Sequence, residues 1–78
     1  MQAIEIKELL TAHFEDAKIE VETDGSHCNV LIVSNQFADL NRVKRQQKVY
    51  AVLNDQIADG SIHALNMKTL THSEWEQR

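Results

Sequence analysis

The sequence feature that most constrains the fold is a pair of alternating apolar runs joined by Asp24-Gly25. In residues 17–23 every second side chain is apolar, which predicts a strand with one buried face. Glycine adopts a positive φ without steric cost, so Asp24-Gly25 predicts a tight turn. The run 27–34 then predicts a returning strand. Its far end is apolar on both faces, which indicates a more central position in the sheet.

An amphipathic helix precedes this predicted hairpin. Ile6, Leu10 and Phe14 recur at every fourth position, and smaller apolar residues lie beside them. This spacing places the apolar side chains on one side of a helix over residues 2–14. We therefore expect the chain to begin with a helix that packs against the sheet.

A second helical pattern follows a loop that contains Phe37, an apolar residue expected to pack into the core. Asn41 is a suitable N-cap for this helix, because its side chain can accept a backbone hydrogen bond. The apolar spacing continues to about Ala58, and Gly60 is placed to end the helix. The pattern fits either one helix or two helices that break near Asn54.

The last predicted strand covers residues 61–70, where apolar side chains alternate again. Thr71 and Glu74 have the spacing of a capping box, which predicts a final helical turn carrying Trp75. Because the strand follows a helical crossover, it can pair parallel to one hairpin strand. The order α-β-β-α(α)-β predicts a small α+β sandwich: a mixed three-stranded sheet with helices on one face, in a single domain over residues 1–78.

The composition excludes several classes of protein. No apolar run approaches the roughly 20 residues that span a bilayer, and the N-terminus lacks the basic and apolar regions of a signal peptide. The single cysteine excludes an internal disulfide and fits a reducing compartment. The sequence contains no triad geometry, P-loop, paired-carboxylate motif or dinucleotide fingerprint. We therefore expect a cytoplasmic protein that is not an enzyme and does not bind membranes.

The second predicted helix concentrates basic residues in an acidic chain. The net charge is −4, yet one segment holds four cations and no acid: Arg42, Lys44, Arg45 and Lys48. Their spacing predicts one basic helix face. That face could be merely solvated, could contact an acidic surface or carboxylates of a partner, or could contact DNA phosphates. Arg45 is the residue that we expect to matter most for either kind of partner.

Two histidines and the cysteine are candidate metal ligands. His27 and Cys28 are neighbours on a predicted strand, so their side chains point to opposite faces and only one can face a given site. Cys28 fits either a small core residue or a ligand. The alternation of the last strand places His63 on the same face as Leu65 and Met67. Two convincing ligands are too few for a closed structural zinc site, so a metal site would need a partner.

Three segments together resemble the BolA family, most closely its IbaG (YrbA) branch: GSHCNVLIVSNQF, RVKRQQKVY and IHALNMKTLTHSEW. The resemblance covers about residues 4–76 and implies a class II KH-like fold. It also implies a heterodimer with a monothiol glutaredoxin that holds a [2Fe-2S] cluster together with glutathione. The acidic partner of the basic face could then be the glutaredoxin surface or the glutathione carboxylates. The implied role is iron-sulfur cluster trafficking and iron homeostasis. The founding branch is also described as a DNA-binding transcriptional regulator linked to stress response and cell morphology.

The resemblance also implies roles for residues. The family's invariant histidine matches His63, and its variable second ligand matches His27, with Cys28 as the competing candidate. The family often has glycine where Asp39 stands. The central helix reads RQQ where the founding branch has RHR, and the GXXG loop of nucleic-acid-binding KH domains is absent, so DNA binding is the weaker implication. We expect the free protein to be a monomer or weak homodimer without its own cofactor.

Overall fold

The computed structural model describes residues 2–25 and 27–77, which form three helices and three strands. The elements are α1 (Ala3–His13), β1 (Lys18–Asp24), β2 (His27–Val33), α2 (Arg42–Ala58), β3 (Ala64–Leu70) and α3 (His72–Glu76). A single 3-10 turn, Asn35–Phe37, lies between β2 and α2. This order confirms the predicted α+β class. Within the described ranges, no helix has both the length and the apolar character needed to cross a membrane.

The strand β2 is the centre of a mixed sheet in the order β1-β2-β3. β1 pairs antiparallel with β2, and Asp24 lies opposite His27 beside the turn. β3 pairs parallel with β2, and Ala64 lies opposite His27. Gly25 has φ +62, as the tight turn requires. The hairpin, the central position of β2 and the parallel third strand are therefore confirmed.

The register divides the sheet into a core face and an open face, because residues opposite each other point to the same side. α1 packs over β1, and α2 contacts both α1 and β3. Side chains buried beneath these helices define the core face: Ile19, Cys28, Val30 and Ile32, with Leu65 and Met67 partly buried. The open face is defined by the intervening side chains: Glu20, Glu22, His27, Asn29, Leu31, Asn66 and Lys68.

The short helix α3 adds a contact on the open face, beyond the predicted one-sided arrangement. Thr71 and Glu74 form the predicted capping box, with hydrogen bonds of 2.8 and 3.1 Å. The Lys18 ammonium lies 5.7 Å from the centroid of the Trp75 ring. Val33, opposite Lys18, is fully buried although it points away from α1 and α2. α3 therefore covers one end of the open face.

The helix α2 is continuous over 17 residues, so the alternative of a break near Asn54 is excluded. Asn41 caps it as predicted, since Asn41 Oδ1 accepts a 2.9 Å hydrogen bond from the Lys44 amide. Val49 and Leu53, one turn apart, are fully buried. Continuous burial of this face favours one long helix over two short ones. A glycine with φ +84 follows its end, as expected.

The strand β3 begins later than predicted, and this changes the position of His63. The prediction started the strand at residue 61, whereas it starts at Ala64. The Ile62 amide donates a 3.1 Å hydrogen bond to the Gln56 carbonyl of α2, and Ile62 is only 3% exposed. His63 lies in an exposed bend directly before β3. Its predicted place within the strand was wrong, because a tertiary contact with α2 overrides the alternation.

The loop between Phe37 and α2 contains a residue in the left-handed region. Asp39 has φ 66, which disfavours any residue with a Cβ. This is the position where the family resemblance suggests glycine. We expect Asp39→Gly to raise the free energy of unfolding by about 0.5 kcal/mol, because relief of strain exceeds the entropic cost of glycine. Urea unfolding followed by circular dichroism measures this change.

The neighbouring Ala38 provides a matched control. It has φ −57, a conformation that needs no glycine. Ala38→Gly is expected to lower the free energy of unfolding by about 0.5–1 kcal/mol through backbone entropy alone. If Asp39→Gly destabilised the protein as much as Ala38→Gly, the left-handed backbone would carry no strain at Asp39.

Candidate metal-binding site

His27 and His63 lie at the same end of the sheet. His27 is the first residue of β2 and pairs with Ala64, and His63 directly precedes Ala64. Paired strands lie about 4.8 Å apart and consecutive Cα atoms about 3.8 Å apart, so the two histidine Cα atoms are at most about 9 Å apart. Both side chains are exposed. The register thus brings together two ligand candidates that are distant in the sequence.

The backbone beside both histidines is held by hydrogen bonds. His27 belongs to the central strand and is paired with both β1 and β3. Shortly before His63, Asp59 Oδ1 accepts a 2.8 Å hydrogen bond from the Ser61 amide. Hydrogen bonding from Ser61 lowers the pKa of Asp59, so this carboxylate stays ionised and holds the turn. Both imidazoles are therefore carried by anchored backbone.

Cys28 lies on the core face, on the other side of the sheet from His27. It is 1% exposed and packs within the hydrophobic core. Burial raises the pKa of the Cys28 thiol, which disfavours the thiolate form that metals bind. The expected separation of the two neighbours is confirmed, and packing decides which one points outward. Burial of Cys28 therefore favours a core residue over a ligand, and its candidate ligand role stays a prediction.

The donor set at this end of the sheet suits a site completed by another molecule. Within residues 2–25 and 27–77, no group of three or more His, Cys, Asp or Glu side chains could hold a metal ion. His13 and His72 lie near the other end, where their rings approach the carbonyls of Leu9 and Asp16 at 3.0 and 3.3 Å. Two imidazoles fit an iron-sulfur cluster whose sulfur ligands come from a partner.

The four basic residues of α2 do not form one exposed face as predicted. Lys44 and Lys48 are exposed one turn apart, and Arg42 is exposed at the start of the helix. Arg45 differs, because only 14% of its side chain is exposed. The prediction of one face was wrong, because it assumed that all four cations are exposed. A guanidinium can instead satisfy backbone carbonyls in a partly buried position.

Arg45 connects α2 to three other parts of the fold. Its Nε donates to the Leu40 carbonyl at 2.9 Å, and its Nη1 donates to the Thr69 carbonyl at 3.0 Å. Nη1 also donates to Glu74 Oε1 at 2.7 Å, and Arg45 Cζ lies 5.9 Å from the Phe37 ring centroid. The hydrogen bond from Arg45 lowers the pKa of Glu74 and keeps it ionised. Contact of Arg45 with a partner stays a prediction, but its guanidinium is already engaged within the chain.

The basic residues and the histidine pair lie toward opposite ends of α2. Arg45, in the first turns, contacts Thr69 near the end of β3. Gln56, in the last turn, contacts Ile62 beside His63. A helix of 17 residues is about 25 Å long. The basic residues and the histidines therefore lie in separate regions, and contact of the basic residues with glutaredoxin, glutathione or DNA stays a prediction.

Comparison with known proteins identifies the family. The family model described as "BolA-like protein" matches residues 2–74. The chain belongs to the BolA family. This BolA protein is 40% identical over 75 residues to "Acid stress protein IbaG" of Escherichia coli strain K12, a match that covers 96% of this chain and 89% of that protein. BolA-like proteins are known as non-enzymatic regulators or adaptors.

Solved structures of BolA proteins share this fold. BolA1 from Arabidopsis thaliana superposes with a TM-score of 0.82 at 34% identity, covering 92% of this chain and 93% of that chain. The BolA domain of SufE1 from Arabidopsis thaliana superposes with a TM-score of 0.82 at 32% identity and the same coverage of both chains. These neighbours confirm both the family and the predicted α+β fold with a mixed three-stranded sheet.

Proposed function

We propose that this BolA protein is an adaptor that binds a monothiol glutaredoxin and contributes His63 and His27 as ligands to a shared [2Fe-2S] cluster. Glutathione and the glutaredoxin cysteine would supply the sulfur ligands. The proposed role is iron-sulfur cluster trafficking and iron homeostasis. The observation that carries the proposal is the strand register, which presents two exposed imidazoles at one end of the sheet. Membership in the BolA family supports it.

The two histidines would hold the metal from different elements. His63 occupies the exposed bend whose neighbour Ile62 is hydrogen-bonded to α2, so its backbone is preorganised. His27 starts the central strand and lies on the open face. A neutral imidazole that replaces a thiolate removes negative charge and raises the reduction potential of an iron-sulfur site. These ligands would therefore favour reduction or transfer of the cluster to a recipient.

The test mixes purified protein with a cluster-loaded monothiol glutaredoxin and records visible absorption and circular dichroism. We expect a spectral change with the unmodified chain and loss of that change with His63→Ala, because one iron ligand is removed. His27→Ala is expected to alter the spectrum less. His13→Ala is the matched control, since His13 is an exposed histidine near the other end of the sheet.

Size-exclusion chromatography separates docking from ligation in the same experiment. If His63→Ala still forms the heterodimer but lacks the spectral change, His63 acts as a ligand rather than as a docking contact. An unchanged holo-complex spectrum in His63→Ala would contradict the proposal. Absence of any complex with the unmodified chain would rule out glutaredoxin as the partner.

A further inference from the structure

The outer edge of β3 carries backbone groups that are free to pair. Among the described residues, β3 pairs with β2 alone. Alternate residues of a parallel strand direct their N–H and C=O groups to the same neighbour. The Leu70 carbonyl accepts from the Ser34 amide on the β2 side, so Leu65, Met67 and Thr69 face outward. No other described residue bonds the outward groups of Leu65 and Met67.

Apolar side chains of α2 overhang this edge. Val43 and Tyr50 are 60% and 43% exposed and lie two turns apart on one flank of α2. The opposite flank, with Lys48 and Val52, shares a cleft with His13 of α1. Because α2 contacts α1 as well as β3, we infer that the flank facing away from α1 lies on the side of the free edge. A strand added at this edge could therefore pack its apolar side chains against α2.

The charge beside this edge is positive. A groove of about 460 Å³ between α2 and β3 is lined by Arg42, Arg45, Lys68 and Glu74. Glu74 is paired with Arg45 at 2.7 Å, and no described carboxylate pairs with Arg42 or Lys68. The sequence pattern does not distinguish Lys68, because one lysine in an alternating strand is no signal by itself. These two cations suit an acidic ligand in a chain that is acidic overall.

We propose that the free edge of β3 binds an extended acidic segment of another protein as a fourth strand. The segment would pair with the backbone of Leu65 and Met67 and place apolar side chains against Val43 and Tyr50. Its carboxylates would lie on the open-face side, near Lys68. The other edge strand, β1, carries a row of carboxylates that repels such a segment. This surface is distinct from the histidine pair, so the inference does not depend on the proposed function.

The test titrates a short capped peptide of alternating glutamate and valine into ¹⁵N-labelled protein. We expect chemical-shift changes at the Leu65 and Met67 amides and at least about tenfold slower hydrogen exchange there, because these amides become paired. Lys68→Glu is expected to weaken peptide binding about tenfold. The matched charge reversal Lys48→Glu, on the opposite flank of α2, should change the peptide affinity by less than about twofold.

Methylated peptides distinguish strand addition from a purely electrostatic contact. Along a strand, side-chain direction and N–H direction alternate together. N-methylation of all glutamates should abolish binding of a parallel strand, and N-methylation of all valines should abolish binding of an antiparallel one. The other set should be tolerated, because its N–H groups face away from β3. Equal binding of both methylated peptides would overturn the proposal.

The same measurements would reveal a second copy of this chain or a nucleic acid bound at the edge of β3. Protection of the Leu65 and Met67 amides in the concentrated free protein would identify a second copy as the occupant and overturn the proposal. So would binding of a single-stranded oligonucleotide at these residues without binding of the peptide. His63→Ala should leave peptide affinity unchanged, so the outcome here and the outcome for the cluster can be read separately.

Discussion

Phe37→Ala is expected to lower the free energy of unfolding by about 3–5 kcal/mol. Phe37 is fully buried, and its ring centroid lies 5.4 Å from that of Phe14 at an interplanar angle of 48°. Truncation removes this tilted aromatic pair and leaves a cavity in the core. A chain of 78 residues has a total stability of roughly 4–12 kcal/mol, so much of the variant should unfold.

Urea unfolding followed by circular dichroism measures this loss. Phe37→Leu, which keeps most of the volume, is expected to cost less than Phe37→Ala and to keep a cooperative transition. Val43→Ala is the control, because Val43 is 60% exposed and its truncation should change stability by less than about 0.5 kcal/mol. A loss below about 1 kcal/mol in Phe37→Ala would contradict the placement of this ring in the core.

Arg45→Ala is expected to lower the free energy of unfolding by about 2 kcal/mol. The substitution removes hydrogen bonds to the carbonyls of Leu40 and Thr69 and the ion pair with Glu74. The control is Arg42→Ala, an exposed arginine in the first turn of the same helix, which should stay within about 0.5 kcal/mol. Equal effects of the two substitutions would show that Arg45 has no structural role beyond its charge.

Lowering the pH should reduce the difference in free energy of unfolding between Arg45→Ala and the unmodified chain. Arg45 lowers the pKa of Glu74 in the folded state below its ordinary value. The ion pair therefore contributes stability at neutral pH, and that contribution is lost as pH falls through the folded pKa. The hydrogen bonds to Leu40 and Thr69 do not titrate, so part of the difference should persist. If the difference in free energy of unfolding did not change with pH, the whole destabilisation would come from the lost hydrogen bonds to the Leu40 and Thr69 carbonyls.

The predictions that succeeded rest on interactions between residues close in the sequence. The Asp24-Gly25 turn, the Asn41 cap and the capping box at the start of α3 each join positions no more than four residues apart. The alternation of side chains along a strand correctly placed His27 and Cys28 on opposite faces of the sheet. Only the packing of the helices shows that Cys28 is the buried one. The metal-binding roles of His27 and His63 stay predictions, although the register places them at one end of the sheet.

The sequence by itself determined the order of helical and strand segments and the antiparallel hairpin, because hydrophobic periodicity, turns and helix caps depend on residues close in the sequence. Only the tertiary structure decided the exposed bend at His63, since this depends on a hydrogen bond between Ile62 and Gln56. It also decided the inward position of Arg45, whose partner Glu74 lies 29 residues away. Such contacts form between elements after they pack, so neither appears in the local pattern of either partner.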